Sequence, residues 1–448
     1  MQLFGRHPGR RLILYFAFTI IIGTMLLLIP ASTSNRSIKL IDALFTATSA
    51  VCVTGLTVMD TGQDFTLFGQ LIILVLIQLG GLGIMTFTTA LFVSLGAQLS
   101  FRERLGFNQS LGGGIQINIR SLLKAIILIT FIIEVIGTIL LFFKFRNDFT
   151  PGKALFVAIF HSVSAFCNAG FSTFSTSLEN FNNDLSMISI FSFLIIAGGL
   201  GFVVIRELCD GIKNKKFRLS LHTKLAVSVT VVLLVLGTGA FFIAEQKSSF
   251  SEMRFTHALA NAFFQSVTCR TAGFYTTCQN NLTEASLLIS IVLMFIGACP
   301  GSTGGGIKTT SIAVILFLAF SRFMGKSSIT VFKRSITTDS IIRALTVFIL
   351  AILVIAIAST ALMFFEEQPL AHYQSKGWFV ENLFEIFSAF GTVGLSLEVT
   401  SKLHAIGKII IIICMFTGRV GLLTLAFALA KPPKKGEIVY SEESVMIG

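Results

Sequence analysis

The sequence predicts an all-α polytopic membrane protein with eight transmembrane helices, arranged as four tandem helix–pore-helix–helix repeats in pseudo-fourfold symmetry. Three observations carry that prediction. Of 448 residues, 54% are hydrophobic and only 12% charged, with a mean hydropathy of +0.85, too few charges for the water-facing surface of a soluble protein. Apolar runs matching a ~30 Å hydrocarbon core recur along the whole chain. Between them, one short outline is written four times: SAVCVTGL from Ser49, SAFCNAGF from Ser164, SVTCRTAGF from Ser266 and SAFGTVGL from Ser388.

The apolar runs lie at 12–29, 68–95, 122–143, 186–205, 225–244, 286–320, 342–365 and 405–430. They show no alternating pattern, so they read as helices rather than barrel strands. The first run resembles a signal peptide only in position. Its apolar core is too long, and no small-residue cleavage site follows.

Basic residues orient the array. With both termini cytoplasmic, the inner connections carry 21 Lys and Arg and the outer ones 9, as the positive-inside rule requires. The net charge of +12 is thus read as orientation against anionic lipid headgroups, and a nucleic-acid partner is not expected. Seven cysteines include no CxxC or mixed Cys/His cluster, so no structural metal is expected.

Four outer connections open with IKLIDALFTATSA, PGKALFVAIFHSVSA, FTHALANAFFQSVT and WFVENLFEIFSAF. At 13 to 15 residues these are too short to span and suit re-entrant helices. Each leads into a small triplet: Val53-Thr54-Gly55, Asn168-Ala169-Gly170, Thr271-Ala272-Gly273 and Thr392-Val393-Gly394. The glycines lie 115, 103 and 121 residues apart, a spacing that suits transporter-type internal repeats. Any one of them reads by itself as a packing or turn glycine. Four behind four matching short helices read as loops that meet on an axis and present carbonyl oxygens to a dehydrated monovalent cation. Thr392-Val393-Gly394 also matches the first three residues of the potassium-channel filter. An enzyme in a membrane shell is the competing class, but no nucleophile–base pair or carboxylate pair supports it.

The sixth run contains IGACPGSTGGGIKT, Ile296 to Thr309. Gly297, Pro300, Gly301, Gly304, Gly305 and Gly306 are too dense for a helix. The expectation is a loop on the cytoplasmic side of the filter that blocks the ion path and moves aside, with Lys308 adding positive charge; the plainer reading is a glycine-kinked span. The order GxxxxGK[ST] is absent, so this is no phosphate loop. LGGLG (Leu79–Gly83) and AGGLG (Ala197–Gly201) read as tight helix packing or mild kinks. Among charges in apolar segments, Arg419 either pairs with an acid or faces the pore, Glu134 partners a pore helix, and Arg270 braces the third loop. Asp60, Asp64, Glu179 and Glu398 read either as cation attractors or as ordinary solvated charges.

The triplets together with CPGSTGGGIKT resemble the Trk/Ktr/HKT superfamily of potassium transporters over essentially the whole chain. Within it, the length and eight spans look most like the KtrB-type membrane subunits of bacterial Ktr uptake systems. The resemblance implies a K⁺ filter with sites at Gly55, Gly170, Gly273 and Gly394. It implies a gate over Gly297–Thr309 with Arg419 helping to close the pore beneath it. It also implies a homodimer in a bacterial cell membrane on a cytoplasmic octameric KtrA-like regulatory ring, which would bind the nucleotide, with Na⁺ as an activator. The expected division is 1–97, 98–210, 211–325 and 326–430, followed by a cytoplasmic tail at 431–448. Gated passive K⁺ uptake is the leading expectation, Na⁺/K⁺ symport through the same pore the alternative, and ammonium or organic-solute transport a third.

Overall fold

The computed structural model describes residues 8–34, 37–97, 119–213, 219–326, 328–366, 377–422 and 424–425. Its helices fall into four successive sets. The first holds α1 (Pro8–Leu27), α2 (Leu40–Cys52) and α3 (Leu67–Ala97). The second holds α4 (Ile119–Phe145), α5 (Pro151–Phe166), α6 (Leu185–Leu200) and α7 (Phe202–Lys213). The third holds α8 (Leu221–Glu245), α9 (Phe255–Thr268), α10 (Glu284–Phe295) and α11 (Thr309–Phe323). The fourth holds α12 (Thr338–Glu366), α13 (Trp378–Gly391) and α14 (Ala405–Val420). A small hairpin, β1 (Thr330–Val331) with β2 (Arg334–Ser335), precedes α12 and turns through Phe332 and Lys333, both at positive φ.

Each set repeats one plan: a long helix, a short one tucked beside it, then a second long or broken helix. Segments of α1, α3, α4, α8 and α12 are long and apolar enough to cross a membrane. The four short helices α2, α5, α9 and α13 are the re-entrant ones expected from length. Local signals set several helix starts. Pro151 opens α5, where its missing N–H costs nothing. Asp184 caps α6 by accepting the Ser186 and Met187 N–H groups, Ser220 caps α8 through Thr223, and Thr283 caps α10 through Ser286.

The sets interlock in a cycle. The helix that follows each triplet packs on the short helix of the next set: α3 on α5, α6 on α9, α10 on α13, and α14 back on α2. A half-buried ion pair, Lys408 Nζ to Asp42 Oδ1 at 2.7 Å, ties α14 to α2 where the circle closes. Glycine lets the helices approach at equivalent places. A Cβ on Gly80, Gly198 or Gly418 would collide with the carbonyl of Val51, Phe166 or Phe390, each in the short helix of its own set. The packing role expected for LGGLG and AGGLG holds for these two glycines.

The mild kink expected at Ala197–Gly201 does not. Gly201 adopts φ +86°, and α6 and α7 meet at 102°. Gly421 takes the same conformation, φ +85°, at the end of α14. The sequence Gly198-Gly199-Leu200-Gly201 aligns with Gly418-Arg419-Val420-Gly421, and both break at the fourth residue, whereas α3 runs unbroken through Gly80–Gly83. The reason is tertiary: the Phe202 N–H freed at the break donates to Gly301 O of the interrupted segment, at 3.1 Å. The expected boundary at 97/98, the end of the eighth run and the 431–448 tail lie wholly or partly outside the described residues.

Candidate functional site

The C-terminal ends of α2, α5, α9 and α13 converge, so four negative helix-dipole ends point at one place. The first residue of each triplet turns the chain: Val53, Asn168, Thr271 and Thr392 hold φ of +55°, +59°, +74° and +51°. Left-handed backbone at β-branched Val and Thr costs on the order of 1–3 kcal/mol each and persists only where the surroundings over-determine it. Here they do. Backbone N–H groups of Thr54, Ala169, Ala272 and Val393 donate back to Ser49, Ser164, Thr268 and Ser388 carbonyls at 2.7–3.0 Å. The Ser49 and Ser388 hydroxyls accept the Gly55 and Gly394 N–H groups at 3.1 Å. The Ser164 and Thr268 hydroxyls donate to Phe171 and Phe274 carbonyls.

The four glycines then close a ring, all at φ between +71° and +94°. A Cβ on Gly55 or Gly273 would come within 2.5 Å of Ala169 O or Val393 O; one on Gly170 would lie 3.0 Å from Ala272 O; one on Gly394 would collide with Thr54 O. Each glycine thus abuts the middle carbonyl of the next loop, in the order 55, 170, 273, 394 and back to 55. Glycine is needed twice over here, for the positive φ and for the space.

The interrupted segment docks directly against this ring. Gly304 lies against Thr271 and Gly305 against Thr392, whose hydroxyl accepts the Gly305 N–H at 3.1 Å. Thr303 donates its hydroxyl to Phe166 O and its N–H to Gly198 O, and Cys299 N–H donates to Gly199 O. A short parallel bridge, Ile296 to Ile307, pinches the base of the loop, and Gly297 packs against Gly305 O. Lys308 does not project as a free charge. Its Nζ curls back to donate to Gly304 O at 2.6 Å, while Pro300 and Gly301 face the break at Gly201.

Arg419 has no acid partner among the described residues. It is 3% exposed and spends its guanidinium on two carbonyls, Thr303 O in the loop and Gly80 O in α3, the latter at 2.8 Å. The sequence left open an acid partner or a pore-facing position; backbone oxygens take the place of the acid. The carboxylate of Glu134 accepts from Gln78 at 3.2 Å, and its backbone carbonyl accepts from Ser162 of α5, as a partner of that helix should. Arg270 braces from behind, donating to Thr230 Oγ1 of α8 at 3.3 Å. Asn168 is oriented so that its amide nitrogen donates to Ala165 O and Ile195 O.

Of the outer acids, Asp60 and Asp64 organise a turn: Asp64 accepts the Asp60 N–H, and Asp60 accepts those of Gly62 and Gln63. Burial, and then the Glu398 charge, hold the Glu179 carboxyl above the usual range. Burial first, then Glu179, Cys278, Glu398 and Asp60, push the Tyr275 phenol up to about 12.

One register was hidden from the sequence. Ser266 does not correspond to Ser49, Ser164 and Ser388. Ser266 Oγ donates to Leu234 O and crowds Gly237, as Ser162 does with Glu134 O and Gly137. Thr268 instead takes the serine's place, so the third copy is one residue shorter between helix and triplet. The signal was the Gly237/Gly137 pairing across helices, which has no trace in a local comparison.

Fold and site together define a class: a polytopic membrane protein whose four re-entrant helices converge on a ring of backbone, with a broken span packed beneath it. The family model described as TrkH, cation transport protein, matches residues 7–438. The chain belongs to that family, within the Trk/Ktr/HKT superfamily. It is 40% identical over 438 residues to the potassium/sodium uptake protein NtpJ of Enterococcus hirae, covering 97% of this chain and 95% of that protein. It is 38% identical over 444 residues to the Ktr system potassium uptake protein B of Bacillus subtilis, covering 98% and 97%. The crystal structure of the potassium transporter TrkH from Vibrio parahaemolyticus superposes with a TM-score of 0.77 at 22% identity, covering 96% of this chain and 86% of that one.

Proposed function

We propose that this chain carries K⁺ into the cell through a central pore, passively and down the electrochemical gradient. The observation that carries the proposal is the ring in which Gly55, Gly170, Gly273 and Gly394 each abut the middle carbonyl of the next triplet. Backbone carbonyls at four helix C-termini are uncharged, hard ligands, suited to a monovalent cation that sheds its water. Val53, Thr54, Asn168, Ala169, Thr271, Ala272, Thr392 and Val393 complete the filter on this reading. The segment Ile296–Thr309, held by Lys308 and Arg419, is its gate.

The relatives support the choice of K⁺, being named for potassium uptake or potassium/sodium uptake. The family resemblance supplies the regulation: a cytoplasmic octameric KtrA-like ring that binds nucleotide, beneath a homodimer of this chain, with Na⁺ as a stimulant. The excess of Lys and Arg in the inner connections supports a cytoplasmic side for both termini. On this reading the chain divides at 97/98, 325/326 and 430/431 into four repeats and a tail, with the second boundary after α7, which runs to Lys213, and not at 210/211.

K⁺ uptake at low external K⁺, in cells stripped of their own uptake systems and with or without a KtrA-like partner, tests the reading. Uptake is expected, and stronger with the partner; verified membrane insertion with no uptake in either case overturns it. The name of the Enterococcus hirae relative, potassium/sodium uptake protein, favours coupled Na⁺/K⁺ symport as a second reading. In vesicles, the reversal potential follows the K⁺ gradient alone for a channel and shifts with an imposed Na⁺ gradient for a symporter.

A further inference from the structure

Behind the ring, the short helices carry a polar residue at one shared position. It stands nine residues before the glycine in three sets, as Thr46, His161 and Glu385. In the third set, shorter by one, it stands eight before, as Gln265. All four are buried, and their chemistry differs.

Glu385 reaches the chain that leaves the fourth triplet. It accepts the Ser396 hydroxyl, the Leu397 N–H at 3.2 Å and the Thr400 hydroxyl at 2.8 Å. Ser396 in turn accepts the Glu398 N–H at 2.9 Å, pinning a residue at φ +62°. His161 builds the same device in the second set. Its Nδ1 must donate to Val157 O, since a carbonyl only accepts, which leaves Nε2 to accept the Ser172 hydroxyl at 3.0 Å. Ser172 accepts the Phe174 N–H at 3.0 Å. Ser172 and Ser396 both stand two residues after their glycines, and the N–H groups they hold stand four after. Gln265 bonds Gln279 at 2.8 Å, six residues after Gly273, just as Thr400 stands six after Gly394.

Thr46 is the exception. Its hydroxyl is buried without a partner among the described residues. The segment after Gly55 is held from the other side instead, by Gln70 of α3, whose amide donates to Thr61 O and Phe65 O at 3.1 and 3.0 Å.

We propose that Glu385 and His161 are positioning residues for cation selection: each, through a serine two residues beyond the filter glycine, fixes the outward strand and so the spacing of the carbonyls. The proposal rests on the reading of the glycine ring as a filter. Glu385 holds three groups and has the larger effect. Neither residue need touch the ion, and the unequal chemistry of the four positions makes the four loops unequally stiff.

The experiment measures K⁺ uptake and its inhibition by Na⁺ for the full chain in cells. Glu385→Leu is expected to lower discrimination against Na⁺ about tenfold, or about 1.4 kcal/mol, the scale of one net hydrogen bond. Ser396→Ala, which removes a single hydroxyl, is expected to fall in the same direction by a smaller factor, and Glu385→Gln to recover most of the loss because its amide oxygen still accepts. Thr46→Val, which removes a hydroxyl with no partner, is expected to change nothing. Should Glu385→Leu fail to reach the membrane, Ser396→Ala carries the test. Wild-type discrimination in Ser396→Ala and Glu385→Leu, or a loss in Thr46→Val as large as theirs, overturns the proposal. Gly394→Ser separates the two readings: if it too leaves discrimination intact, the filter fails; if it alone destroys it, only the tethers do.

Discussion

Arg419, near the end of α14, donates to the Thr303 carbonyl in the middle of the interrupted segment, and its other guanidinium nitrogen holds Gly80 O in α3. One buried cation therefore links the fourth set of helices, the first, and the loop of the third. Removing it strips one charge-assisted hydrogen bond from the loop and the one that anchors the guanidinium on α3. Arg419→Ala is expected to raise K⁺ flux in the absence of any regulator by about tenfold or more, a modest share of two such bonds. Flux measurements in proteoliposomes containing only this chain check it; unchanged flux argues against a locking role.

Gly273→Ser puts a side chain at φ +79° and within 2.5 Å of Val393 O. The neighbouring loop must give way, and K⁺ uptake should weaken while Na⁺ inhibition strengthens, each on the order of tenfold for a shift worth about one hydrogen bond. Concentration-dependent uptake with and without Na⁺ reads both. Unaltered selectivity would favour a pore for ammonium or an organic solute.

Gly198→Ala and Gly239→Ala should move stability in opposite directions. The first sets a methyl against Phe166 O where the helices cross, an overpacking expected to cost about 1–3 kcal/mol. The second lies within α8 with nothing within 4 Å of the added atom, and should stabilise by about 1 kcal/mol. Thermal unfolding in detergent compares them.

Asp184 caps α6 and pairs with Lys144 at 2.9 Å. Burial pushes its carboxyl up, but hydrogen bonds from Lys144 and the Met187 and Ser186 N–H groups outweigh that and lower it below 3.8. A depressed carboxyl stabilises the fold above its unfolded value and loses that contribution as pH falls through the folded one. Asp184→Ala should thus cost about 1 kcal/mol near neutral pH, chiefly as a lost cap, since the ion pair is about one-third exposed and screened. The gap between variant and wild type should close as the pH falls below 3.8; a constant gap would show that the charge is irrelevant.

The short helices and their triplets were legible because length and small-residue content are local properties. A segment of about 10 to 14 apolar residues cannot span, and a triplet ending in glycine repeats visibly. The breaks were not. Leu79–Gly83 and Ala197–Gly201 are almost the same string, yet only the second has Gly301 O beside it to receive the freed N–H. Arg419 was singled out correctly as a charge needing a partner, but carbonyl partners leave no mark in sequence. The residues behind the ring escaped for a further reason: a comparison that seeks identity passes over Thr46, His161, Gln265 and Glu385, which share a position and not a chemistry.

The ring of glycines also bears on how the chain is made. Because Gly394 abuts Thr54 O, the first loop to leave the ribosome meets its last contact only when the fourth arrives. A chain halted after Gly273 leaves that glycine without Val393 and Thr54 without Gly394, so the circle stands open at two seams. On the proposed reading of the ring as a filter, the ion site is therefore complete only once the fourth repeat is in place.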